Sequence, residues 1–137
     1  MAKISGPLLD RIDLHIEVPA VKYKDLSSRE SAESSEKIRV RVMHAREIQA
    51  HRFEGRKDTY ANAHMHSRDI REYCKLDPAG EEVLKMAITK LGLSARAYDR
   101  ILKVGRTMAD LAGSACIRPE HISEAIQHRS LDRNLLA

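Results

Sequence analysis

Between residues 77 and 127 the sequence is divided by paired start and stop signals that leave few alternatives to helices. Asp77-Pro78 puts a side-chain acceptor directly before a proline at a first helical position, where its missing N–H goes unneeded. Glu81 and Glu82 then suit the positive end of the helix dipole. Val83, Leu84, Ala87, Ile88 and Leu91 form one apolar face before Gly92 stops the run. Ser94 caps the next helix, whose inward residues are expected to be Tyr98, Ile101, Leu102, Met108, Leu111 and Ala112, with Gly113 at its end. Pro119 opens a last helix that turns Ile122, Ala125 and Ile126 to the core, with Leu131 extending the contact.

Upstream the pattern changes. Ile38, Val42, Ala45 and Ile48 recur at helical spacing and predict a helix over 35–53, capped by Ser34 or Ser35 and followed by Gly55. Residues 54–64 are polar and read as a loop. A short helix over 67–75 follows, with Ser67 as its cap and Ile70, Tyr73 and Cys74 inward. Residues 21–34 are rich in Ser, Glu and Lys and read as a linker. Before them, Ile12-Asp13-Leu14-His15-Ile16-Glu17-Val18 alternates apolar with polar, the period of a half-buried strand, and Pro19 ends it. A lone strand has nothing to pair with, so its neighbours are expected elsewhere, and this chain is expected to be a piece of a longer polypeptide. The predicted fold is mainly α: one strand, a linker, then about five helices in a compact bundle.

Composition narrows the function. Trp is absent and there is one Phe, so the core must come from Leu, Ile, Val, Ala and Met, residues that suit packed helices. No apolar run approaches the roughly 20 residues of a membrane span. The start Met1-Ala2-Lys3-Ile4-Ser5-Gly6 lacks the apolar stretch of a signal peptide. A cytoplasmic protein is expected. Cys74 and Cys116 both fall in helical patterns and read as small buried thiols. There is no Gly-rich loop ending in Lys-Ser or Lys-Thr, no acidic pair after a strand and no Gly-x-Ser-x-Gly elbow, so this chain carries no phosphate cradle or serine nucleophile of those kinds. The seven histidines, including His44, His51, His64 and His66, have no spacing that converges four ligands on zinc, and no metal site is expected.

The formal charge of +4 is compatible with a polyanionic partner. Arg39, Arg41, Arg46 and Arg52 on the first long helix are candidate DNA contacts, although Arg39 and Arg41 lie on different sides and Glu36 and Glu47 intervene. No aromatic residues interleave with them to stack bases. Two further arginines have notable placements. Arg11 stands immediately before the alternating segment, where it can project toward a neighbouring subunit. Arg96 lies in the first turn of its helix, where its charge opposes the helix dipole unless an anion binds there. An ordinary surface salt bridge is the competing reading of both.

The stretch 4–19, from Ile4-Ser5-Gly6-Pro7-Leu8-Leu9-Asp10-Arg11-Ile12-Asp13 through Pro19, resembles the end of the AAA+ core in magnesium-chelatase-like ATPases of the competence protein ComM (YifB) type. Residues 91–113, with Ser94-Ala95-Arg96-Ala97 and Lys103-Val104-Gly105-Arg106-Thr107-Met108-Ala109-Asp110-Leu111, resemble the same family's helical lid, as does the ending 122–133. The resemblance implies that residues 1–20 end an AAA+ core, 21–34 link, and 35–133 form the lid. It implies that Arg11 is an arginine finger acting in trans on the ATP of the adjacent subunit. It likewise makes Arg96 the sensor-2 residue on the ATP gamma-phosphate of its own subunit. Gly105 departs from the alanine common in such proteins, and is expected to permit close helix packing. The intact parent would use ATP and Mg2+, assemble with the missing core of the same chain into a ring, a hexamer, and act on DNA as a branch-migration motor. This piece alone would be inactive and bind no cofactor. Alternatives are a subunit of a magnesium-chelatase-type metal insertion complex and a free-standing basic helical DNA-binding module.

Overall fold

The computed structural model describes residues 5–27 and 31–129. Among them are seven α-helices: α1 (Gly6–Leu9), α2 (Tyr23–Leu26), α3 (Ser35–Arg52), α4 (Ser67–Tyr73), α5 (Pro78–Leu91), α6 (Ala95–Leu111) and α7 (Pro119–Gln127), with one 3-10 turn at Asn62–His64. All five expected helices are present. The cap chemistry holds as read: Asp77 Oδ1 accepts from Gly80 N–H at 2.7 Å, Ser94 Oγ from Ala97 N–H at 3.2 Å, and Ser34 Oγ from Lys37 N–H at 3.3 Å. Gly113 has a φ of 68° at the end of α6, and Ser114 N–H returns to Ala109 O at 2.8 Å, which satisfies a carbonyl the helix leaves open.

Helix α6 is the centre of the bundle. Ala97, Ile101, Gly105 and Ala109 recur every four residues on its buried face, and α3, α4 and α7 pack around it, with α5 against α7. The core joins Ile101, Leu102 and Ala109 to Phe53, Ile70, Cys74, Leu84, Ile117 and Ile122. The single Phe is only 2% exposed and meets Tyr73 edge-on, with ring centroids 5.5 Å apart. Gly105 has a packing reason: a Cβ there would lie 2.8 Å from Ile122 Cδ1, so its absence lets α7 approach α6 closely. A parallel bridge between Leu76 and Ile117 ties the connection before α5 to the one before α7.

Five expectations need correction. Residues 12–18 are extended but form no strand among the described residues. The segment is exposed on both sides, apolar Ile16 at 70% and Val18 at 81% included, and only His15 is buried against the bundle. A strand needs a run of extended backbone beside it to complete its hydrogen bonds, and among the described residues the bundle supplies a single backbone one, from His15 N–H to His128 O. The linker contains α2, whose Tyr23 and Leu26 are exposed. The cap of α4 is His66, not Ser67, because the Asp69 carboxylate reaches back to the His66 N–H at 3.0 Å, and the helix ends at Tyr73. Tyr98, Leu111, Ala112, Ile38 and Val42 are exposed, because the bundle covers a narrower arc of α6 and only the second half of α3. Cys116 lies in the connection between α6 and α7 and is exposed, whereas Cys74 is buried as expected.

Candidate functional site

Arg11 is presented by a short, closed turn. Ser5 caps α1, Pro7 sits in its first turn, and Leu9 is buried. The chain then folds back: Arg11 N–H donates to Leu8 O at 3.1 Å and Ile12 N–H to Leu9 O at 3.1 Å. The Arg11 side chain is left exposed. Three ties hold this segment to the bundle. Arg129, just past α7 and only 1% exposed, donates from Nη1 to Ile12 O at 2.9 Å and from Nη2 to Leu9 O at 3.4 Å. Arg100 pairs with Asp13, and His15 N–H donates to His128 O.

Arg96 is exposed in the first turn of α6, where no acidic residue stands. It is one helical turn before Arg100 and so shares that residue's side of α6. The ion pair of Arg100 with Asp13 therefore brings the Arg11 segment to the side of α6 that carries Arg96.

The arginines of α3 divide. Arg39 and Arg46 are exposed. Arg41 is exposed but paired with Glu33, an arrangement that lowers the Glu33 pKa through the hydrogen bond from the guanidinium. Arg52 is not on the surface face at all. Its guanidinium forks Asp110 at 2.8 and 2.6 Å and also donates to Asn62 Oδ1 at 2.8 Å. Asp110 is fully buried and accepts additionally from Asn62 Nδ2 at 2.8 Å, with Arg106 Nη2 at 3.1 Å. Arg106 in turn donates to the carbonyls of Ala115 and Ser114. This network joins α3, α6 and two connections; Arg52 belongs to it and is thereby removed from the DNA-contacting set.

Sequence reasoning missed Arg129, Arg100 and Asp13 as holders of the Arg11 turn. Nothing in local spacing marks an arginine two residues beyond a helix end as buried, since its acceptors lie more than a hundred residues away in the chain. An open groove of about 660 Å³ between α4 and α6 is lined by Arg71, Lys75, Glu81, Tyr98 and Asp99, and contains neither Arg11 nor Arg96. Among the described residues no group of three or more His, Cys, Asp or Glu is placed to hold a metal ion. Burial pushes the Cys74 thiol up to about 12, which leaves it protonated and unreactive at neutral pH. No described helix is long and apolar enough to cross a membrane.

The comparison with known families bears on these same segments. Residues 32–129 match the model described as magnesium chelatase, subunit ChlI C-terminal, and residues 1–26 match that of magnesium chelatase, subunit ChlI. The chain belongs to the magnesium chelatase ChlI C-terminal family. Its relatives include the competence protein ComM of Haemophilus influenzae, 43% identical over 97% of this chain and 25% of that protein. An uncharacterized protein of Escherichia coli, YifB, is 41% identical over 98% of this chain and 26% of its own length. The chain thus spans about a quarter of the length of these relatives. The boundary between the two ChlI models falls between 26 and 32, so Arg11 lies in the first and Arg96 in the second.

Proposed function

We propose that this chain is the arginine-bearing turn and helical lid of a ring-forming AAA+ ATPase, and that the intact protein is a DNA motor of the ComM type, driving branch migration during DNA uptake and recombination. The observation that carries this reading is the similarity to the competence protein ComM over nearly the whole chain. The disposition of the arginines supports it. Arg52 and Arg106 surround Asp110 and Arg129 binds backbone, whereas Arg11 and Arg96 are exposed at the positions the motifs single out. In this reading Arg11 reaches the ATP of the adjacent subunit and stabilises charge on the transferred phosphoryl group. Arg96, beside the N–H groups that open α6, contacts the gamma-phosphate. Arg96 is exposed at the start of α6, and the first turn of that helix holds no acidic residue. Mg2+ and the phosphate-binding lysine belong to the part of the polypeptide outside these residues, and the ring is a hexamer in the cytoplasm. DNA contact by the lid falls to Arg39, Arg46 and the weakly held Arg41.

A second reading is metal insertion into a porphyrin, which the names of the two matching family models favour. The deciding experiment is ATPase activity of the full-length protein with and without branched DNA, beside Arg11→Ala and Arg96→Ala. Turnover stimulated by DNA, and lost in both variants while Arg11→Ala still binds ATP, is the expected result. Turnover that ignores DNA and answers to porphyrin and partner subunits transfers the protein to the second reading. Normal hydrolysis by Arg11→Ala removes that residue from the mechanism.

A further inference from the structure

The turn that carries Arg11 is held from behind by the far end of the chain. Arg129 binds the two carbonyls that bracket Asp10 and Arg11: Ile12 O at 2.9 Å and Leu9 O at 3.4 Å. Leu9 O also accepts the Ile12 N–H, so the turn is closed on itself and onto Arg129 through the same atoms. A planar guanidinium that donates to two carbonyls fixes both their separation and their direction, which a lysine ammonium does not. The pairing of Arg100 with Asp13 and the bond from His15 N–H to His128 O repeat the connection on the downstream side. None of these ties uses the Arg11 side chain. Its backbone is therefore set relative to α6 and α7, while its guanidinium is left to reach outward.

We propose that Arg129 is a positioning residue: from the end of α7 it sets the turn that presents Arg11, so that displacement of a subunit's lid changes the reach of the arginine that subunit offers its neighbour. The inference rests on the reading of Arg11 as a finger acting in trans. It supplies a route by which the lid of one subunit governs hydrolysis in the next, through a mechanical link inside a single chain. Small displacements matter here, because a misplacement of about 1 Å in a reacting constellation costs on the order of 100-fold in rate.

The test uses the full-length protein carrying Arg129→Lys, which keeps the buried charge and one carbonyl bond but not the fork. The expected result is ATP affinity within about twofold of wild type and turnover reduced about 10-fold or more. Since loosened packing also lowers turnover, mixed rings separate the two causes. In an equal mixture with subunits whose own phosphate-binding lysine is replaced, an Arg129→Lys subunit keeps an intact nucleotide site and receives Arg11 from its neighbour. About a quarter of the interfaces are then competent, and turnover recovers accordingly. Mixed with Arg11→Ala subunits, the same variant recovers nothing, because both defects lie on the side that offers the arginine. Wild-type turnover in Arg129→Lys, failure to recover with the lysine-replaced subunits, or recovery with Arg11→Ala subunits each overturns the proposal. Failure of Arg11→Ala itself to complement the lysine-replaced subunits instead overturns the finger reading, independently of Arg129.

Discussion

At the scale of single residues, the arginines are distinguished by what their guanidinium groups face. Asp110 is fully buried yet has Arg52 and Arg106 beside it and Asn62 bonded to it, so its charge is compensated inside the bundle. A second pair orders the polar connection after α3: Arg56 donates to Asp69 at 3.0 Å and to Thr59 at 3.2 Å, while Asp69 also accepts the His66 N–H. The Arg56 hydrogen bond, ahead of the backbone bond, holds the Asp69 carboxyl below its ordinary range. A depressed carboxyl pKa contributes stability that is present above the unfolded value of about 3.9 and is lost as the pH falls through the folded value. Asp69→Asn keeps the acceptor for His66 but not the charge. Its thermal midpoint should lie below wild type at pH 7, and the two should converge on acidification. A gap that stays constant through the acid range would show that the charge of Asp69 is not what orders the connection.

At the scale of elements, helices with a packed face and helices without one behave differently. Helix α6 is capped by Ser94 as its sequence says and is buried along one side from Ala97 to Asp110, an arc narrower than its apolar periodicity. Helix α3 is divided: every residue from 35 to 44 is exposed, and burial begins at Ala45. A solvated segment of that length has little reason to persist, since isolated helices shorter than about 12–15 residues are marginal in water. Its N-cap at Ser34 and its continuity with the anchored half are what support it. Hydrogen exchange should therefore be graded along α3, with amides before Ala45 exchanging well ahead of those between Gln49 and Arg52. Uniform protection along the helix would mean that the first half is covered by something other than the bundle. Ile38 and Val42 on that half show why periodicity alone misjudged it: they recur at helical spacing with Ala45 and Ile48 but are exposed.

At the scale of the whole molecule, residues 12–26 expose Ile16, Val18, Val21, Tyr23 and Leu26, none of which joins the packed core of the bundle. The relatives are about four times as long as the stretch they share with this chain, and we propose that these apolar side chains pack against the remainder of the polypeptide. Ile16→Asp combined with Val18→Asp should leave the thermal midpoint of this chain nearly unchanged, and should destabilise the full-length protein by several kcal/mol, as burial of unpaired charge does. Equal, small effects in both would mean that the segment is solvated in the intact molecule too. The positions of α5, α6 and α7 were legible from Asp77-Pro78, Gly92, Ser94, Gly113 and Pro119, because caps and breakers act through bonds within a few residues of themselves. Arg11 and Arg96 were legible as places worth attention for the same local reason. The inward turn of Arg52, the exposure of Ile16 and Val18 and the hold of Arg129 on Leu9 and Ile12 were not. An arginine's sequence neighbours are the same whether its partner is water or a carboxylate from 58 residues away, and only the packed chain brings that partner within reach.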